Sequence, residues 1–138
     1  MKSLLEEWDC FVDFFLQKVK EHPRLWSAPL SRKDADSYLA FYGINGGLFL
    51  EIDEDGLSAF MTMHPGIKDC DWVWNKNEEE YTVHVCWAKH KEALKAIMFA
   101  GLKRLMPKGL HYTRDGCIFS LTPKKIERLS RYGFLFRR

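Results

Sequence analysis

Between Tyr81 and Ala93 the chain runs YTVHVCWAKHKEA, an alternating apolar stretch that ends in Lys89-His90-Lys91 and continues into Glu92 and Ala93. A strand that hands over to a helix at such a point leaves the first helical amides unpaired. With Lys89 and Lys91 beside them, those amides suit an anion such as a diphosphate. Cations at a helix start oppose the macrodipole by about 0.3–1 kcal/mol, so the same turn also reads as an ordinary solvated one. Just upstream, His84 has the titration range of a general base and Cys86 the inventory of a nucleophile. Strand alternation predicts His84 and Cys86 on one face, with Val83, Val85 and Trp87 on the other. The competing reading makes Cys86 a small core residue and His84 a hydrogen-bonded, half-buried one. Tyr112, in HYTRD, carries a phenol that can donate a proton, or is a strand-edge aromatic. Glu51, Asp53, Glu54 and Asp55 offer a basic substrate a partner, or form a charged hairpin tip. Trp72, Trp74 and Trp87 have faces for stacking a ligand, or fill the core.

The elements that must hold these residues follow from periodicity. Leu4, Leu5, Trp8, Phe11, Val12, Phe15, Leu16 and Val19 recur at helical spacing, which predicts a first helix over 3–20 with Ser3 and Glu6 as a capping box. His22-Pro23 stops it. Ser31 opens a second helix that Gly43 is expected to close. GGLFLEIDEDGLSAFMTMHP predicts a hairpin turning at Asp55-Gly56. Residues 66–80 connect it to a third strand, 81–88, apolar on both faces as in a covered central strand. A helix from about Lys89 to Met106 carries Leu94, Ile97, Met98, Gly101, Leu102, Leu105 and Met106 on one stripe, and Pro107 and Gly109 end it. Leu110–Ser120 reads as a strand, or a hairpin broken at Asp115-Gly116. Thr122-Pro123 starts a last helix, Gly133 ends it, and Phe134-Leu135-Phe136 leads into a terminal strand.

A chain of 138 residues with 46% hydrophobic and 29% charged residues is expected to be one soluble domain. It divides into a helical part, 1–45, and a sheet-bearing core, 46–138. The formal charge of +2 is too small to imply nucleic acid, although the basic residues concentrate after position 88. Cys10, Cys70, Cys86 and Cys117 form no CxxC pair, so neither zinc nor any other metal is expected. Their scatter, with no signal-peptide pattern and no apolar run long enough to span a membrane, points to free thiols in the cytoplasm.

The order strand, basic turn, long helix, strand, helix, Gly-Phe, strand over residues 46–138 resembles the GNAT acyltransferases. Members usually show R/Q-x-x-G-x-G/A at the turn; divergent members, phage-encoded ones included, carry a basic-x-basic form followed by alanines. Lys89-His90-Lys91 with Ala93 and Ala96 is similar to that form. The resemblance implies an α+β fold: a mixed, mainly antiparallel sheet with helices on both faces, its strands 81–88 and 110–113 splayed apart. It implies acetyl-CoA or another acyl-CoA as cofactor and an amine, small molecule or protein, as acceptor. The backbone of Val83 to Ala88, with Val85 and Trp87, would take the pantetheine arm, and Lys89, His90, Lys91 and Ala93 the pyrophosphate. His84 and Tyr112 would serve as base and acid, since Leu129 stands where many members place a tyrosine. The family's loop glycines are missing here. A GNAT-like binding or structural protein without catalysis, of viral origin and acting in a host cytoplasm, is therefore the second expectation, and a nucleic-acid binder using the basic C-terminal half a third.

Overall fold

The computed structural model describes residues 4–26, 28–66, 74–114, 117–121, 124 and 128. Of the expected last helix only Lys124 and Arg128 are described, and both are helical; its Gly133 cap and the terminal strand lie outside these residues, as do Ser3, Trp72 and the Asp115-Gly116 turn. The fold is α+β. Helices α1 (Leu4–Glu21) and α2 (Arg32–Ile44) lead into strands β1 (Leu48–Asp53), β2 (Gly56–Pro65) and β3 (Glu80–Ala88). Helix α3 (Lys91–Leu105) follows, then β4 (Gly109–Arg114) and β5 (Cys117–Leu121). The strands form one sheet in the order β1-β2-β3-β4-β5. The β3–β4 pair is parallel and the other three pairs are antiparallel.

Local chemistry explains the boundaries. Ser31 caps α2 by accepting from the Asp34 amide at 3.1 Å. The helix does not stop at Gly43 as expected. Asn45 ends it, with both its amide and its side-chain Nδ2 donating to the Phe41 carbonyl. In the first hairpin the turn is Glu54-Asp55, with Gly56 already in β2; the Asp53 carboxylate accepts from the Asp55 amide at 2.8 Å.

Two cores flank the sheet. On one face α1 and α2 bury Phe11, Val12, Phe15, Tyr38 and Leu39 against Phe60 and Val85. The two helices are joined by Arg32, which reaches Asp9 and Asp13, and by Trp8, whose Nε1 donates to Asp36. On the other face α3 buries Ala93, Ile97 and Leu102 against Phe49, Met61, Met63 and Val83. Gly101 sets the closeness of that contact: a Cβ there would lie 2.6 Å from Met63 Sδ and 2.7 Å from Met61 Cε.

The α3 stripe differs from the expected one at both ends: Leu94 turns outward, and Met106, the left-handed C-cap beyond Leu105, is 77% exposed. Ile97 is 0% exposed, but Leu94 is 41% exposed. Ala93, four residues before Ile97, takes the first inward position, and Leu94 lies outside that face. Ile97→Ala is therefore expected to lower the unfolding free energy by about 2–5 kcal/mol, and Leu94→Ala by no more than about 0.5 kcal/mol. Urea unfolding of the two variants measures the difference. Equal losses would contradict this seating of α3.

Candidate functional site

Strand β3 lies between an antiparallel and a parallel partner, and the two ladders have different lengths. The ladder to β2 runs the whole way, from Pro65↔Tyr81 to Ala59↔Ala88. The ladder to β4 begins at Glu80↔Gly109 and stops at Val83↔Tyr112. Both strands continue past that rung: β3 to Ala88, and β4 to Arg114, where it pairs only with β5. No described strand pairs with the β4-side edge of β3 over residues 84–88. The Lys89 amide donates to the Ser58 carbonyl at 2.8 Å, which fixes the alternation of this segment. Lys89 and Trp87 turn their backbone groups toward β2, so Cys86 and Ala88 turn theirs toward the side where β4 has left.

A β-bulge sits where the strands part. Met63 pairs with Val83 and Thr62 with Val85, so His84 is the extra residue of the bulge. The extra residue breaks the expected alternation. Val83 packs in the α3 core together with Cys86 and Ala88, while Val85 and Trp87 pack in the α1–α2 core. The expectation that Val83, Val85 and Trp87 share a face is thus corrected. So is the pairing of His84 with Cys86. His84 lies on the α1–α2 side, edge-on to Trp26 and bonded to Tyr38. Tyr112, on the last shared rung, packs against the α3 core. The two residues expected to move protons therefore come to the same point along the sheet, on opposite faces.

Beneath α2 lies a polar network that the sequence reading did not identify. The Val85 amide donates to Thr62 Oγ1 at 3.1 Å. Thr62 Oγ1 is 2.9 Å from Tyr38 Oη, which is 2.5 Å from His84 Nδ1. Thr62 is fully buried, and its hydroxyl, the Tyr38 hydroxyl and His84 Nδ1 form one continuous hydrogen-bonded chain. Beside this chain, Tyr42 Oη lies 2.8 Å from Nδ1 of the buried His64. Tyr38 and Tyr42 stand four apart on α2, so both reach the sheet from one helix face.

The turn after β3 holds the expected residues in an altered arrangement. His90 is the N-cap of α3, and its Nδ1 accepts from the Ala93 amide at 3.1 Å. Lys89 Nζ lies 3.8 Å from Asp53 and 3.6 Å from Asp55. The hairpin tip thus faces the basic turn and offsets part of its charge. Lys91 is exposed and makes no ion pair among the described residues. Trp74 packs edge-on to Phe41 and Tyr42 in the core. Among the described residues no group of three or more His, Cys, Asp or Glu could hold a metal ion. No helix among them is long and apolar enough to cross a membrane.

Cys10 and Cys86 are free cysteines; Cys70 and the side chain of Cys117 lie outside the described residues. Burial pushes the Cys86 thiol up to about 12, which removes it as a thiolate nucleophile near neutrality. Native alkylation at pH 8 should label Cys10 and spare Cys86, whereas denatured protein should be labelled at both. The linkage has a definite sign. The unfolded thiol ionises near 9.0 and the folded one near 12, so this contribution is complete below 9.0 and is lost as pH rises through that interval. A Cys86→Ala variant should show a shallower decline of stability over the same range. Rapid native labelling of Cys86 would contradict the assignment.

No protein-family model, curated protein or solved structure matches this chain.

Proposed function

We propose that this is a divergent GNAT-like acyl-CoA-dependent N-acyltransferase, with the acyl donor bound along the parted edge of β3. The observation that carries the reading is the ladder that stops at Val83↔Tyr112 while β3 runs on to Ala88. An extended amide-bearing chain can add to such an edge by main-chain hydrogen bonds. The pantetheine arm of CoA is a chain of that kind. The backbone groups of Cys86 and Ala88 are its partners, and the start of α3 lies just beyond them for the pyrophosphate. The bulge brings His84 to the point where the strands part, and Tyr112 is on the last rung. These two are assigned the proton transfers as the amine attacks the thioester. The reading is supported by a mixed, mainly antiparallel sheet in which α3 crosses from β3 to the parallel β4.

A second reading is favoured by the turn itself. His90 already uses the Ala93 amide, and Asp53 and Asp55 face Lys89. Both features weaken a phosphate site. They fit a GNAT-like binding or structural protein, phage-encoded and without catalysis.

Acetyl-CoA and a longer acyl-CoA in a thermal-shift titration separate the two. A ligand held only by the folded state adds RT ln(1 + [L]/Kd), about 2.7 kcal/mol at a hundredfold excess over Kd. Under the first reading Lys91→Glu weakens binding by about 10–100-fold, as expected for losing a charge-assisted contact of about 1.5–3 kcal/mol. Lys89→Glu has a smaller effect, because Asp53 and Asp55 already face that charge. No shift with millimolar ligand would contradict the first reading and favour the second. A shift untouched by Lys91→Glu would put the donor elsewhere.

A further inference from the structure

On strands β3, β4 and β5, three polar side chains line up across the sheet. Ser120 Oγ lies 2.6 Å from His111 Nδ1, and His111 Nε2 lies 3.2 Å from Glu80 Oε1. His111 is 8% exposed, Glu80 is partly exposed, and Ser120 is open to solvent. The protons in this relay follow from donor inventory. A carboxylate only accepts, so His111 Nε2 carries the hydrogen facing Glu80. Nδ1 of the neutral ring is then an acceptor, and the Ser120 hydroxyl donates to it. That is a hydroxyl held on a base which is itself oriented by an acid.

Backbone register supports the same arrangement. Arg114↔Cys117 closes the β4–β5 hairpin, and a closing pair exchanges hydrogen bonds. Alternation then makes Tyr112↔Phe119 a hydrogen-bonded pair and His111↔Ser120 a non-hydrogen-bonded one, the type whose side chains approach most closely. Ser120 also turns its own N–H away from β4, on the last strand of the described sheet, where it can meet an oxyanion next to its hydroxyl. Gly109 keeps the acid in place. A Cβ at that position would lie 2.7 Å from Glu80 Oε1 and 2.9 Å from Glu80 Cγ, so any side chain would push the carboxylate off the imidazole.

The geometry points to a second, serine-based acyl-transfer site, Ser120-His111-Glu80, that takes small activated acyl esters and passes the acyl group to water. Ser120 Oγ bonds to the acyl carbon as its proton passes to His111 Nδ1, and the Ser120 N–H takes the developing oxyanion. The ester C–O bond breaks, and the alcohol leaves with the proton from Nδ1. Water then attacks the acyl-serine, gives its proton to Nδ1, and releases the acid while Ser120 Oγ takes that proton back. Ester and water become acid and alcohol with no other reactant. Ser120 and His111 are the catalytic residues; Glu80 is a positioning residue.

The test uses the full chain with p-nitrophenyl acetate and, separately, a fluorophosphonate probe read by peptide mass spectrometry. The expected result is an adduct on Ser120 and ester hydrolysis above the buffer rate. Ser120→Ala abolishes both, and because Ser120 is at the surface the variant keeps its fold by circular dichroism. His111→Asn lowers the rate about 100-fold, the usual reach of a general base. Glu80→Gln and Gly109→Ala lower kcat with little change in KM, and Glu80→Asp restores part of the loss, which a merely structural carboxylate would not produce. An adduct on a lysine or tyrosine instead of Ser120 would overturn the assignment, as would hydrolysis unchanged in Ser120→Ala, or no adduct at all. Glu80→Gln and Ser120→Ala remain decisive if His111→Asn does not fold.

Discussion

His84 enters β3 between Val83 and Val85 as the extra residue of a bulge, and that one residue reverses which face the outer half of the strand presents. Before the bulge, Tyr81 and Val83 fill the α3 core. After it, Cys86 and Ala88 fill that core, and Val85 and Trp87 pass to the α1–α2 side. The change of face coincides with the end of the β3–β4 ladder. Fixing the bulge requires partners, and the α1–α2 side supplies them: Thr62 takes the Val85 amide and Tyr38 takes both Thr62 and His84. Leaving such buried groups unpaired would cost about 1–3 kcal/mol each, so the network fixes the bulge, and the bulge fixes where the sheet opens.

The rest of the fold keeps that opening in place. β2 holds the other edge of β3 along its full length, so the outer half of β3 stays extended although β4 has left it. Helix α3 rests on Met61 and Met63 through the bare backbone of Gly101. Its start is therefore held near the end of β3, while its far end returns the chain to β4 in parallel. Lys18 lies over the rings of Phe14 and Trp87, which ties α1 to the end of the same strand.

Much of this was legible in the sequence because it rests on local pattern. The period of α1, the Ser31 cap, the hairpin of β1 and β2, and the covered central strand are each written in neighbouring residues. So were the bounds of β3 and the start of β4, to within a residue. The bulge was not legible. Nothing local distinguishes VHVCW with an extra residue from VHVCW without one, since the count is set by β2 across the ladder. The faces of His84, Cys86 and Val85 were misassigned for that reason. The Tyr38–Thr62–His84 chain was missed because its members are 22 or more positions apart; the four-residue spacing of Tyr38 and Tyr42 was the one available sign. Glu80, His111 and Ser120 meet only through strand register, which no spacing in the chain reveals. The turn at Lys89 was found as a basic turn, but the approach of Asp53 and Asp55 depends on how the first hairpin lies over it.

The opening is tested most directly by amide hydrogen exchange along β3, residue by residue, with and without acetyl-CoA. The amides of Cys86 and Ala88 should exchange much faster than those of Val85 and Trp87, which face Thr62 and Phe60 in β2, and acetyl-CoA should slow Cys86 and Ala88 selectively. Equal protection of all four amides in the free protein would contradict the parted edge, and slow exchange at Cys86 and Ala88 unchanged by ligand would contradict its use as a binding site.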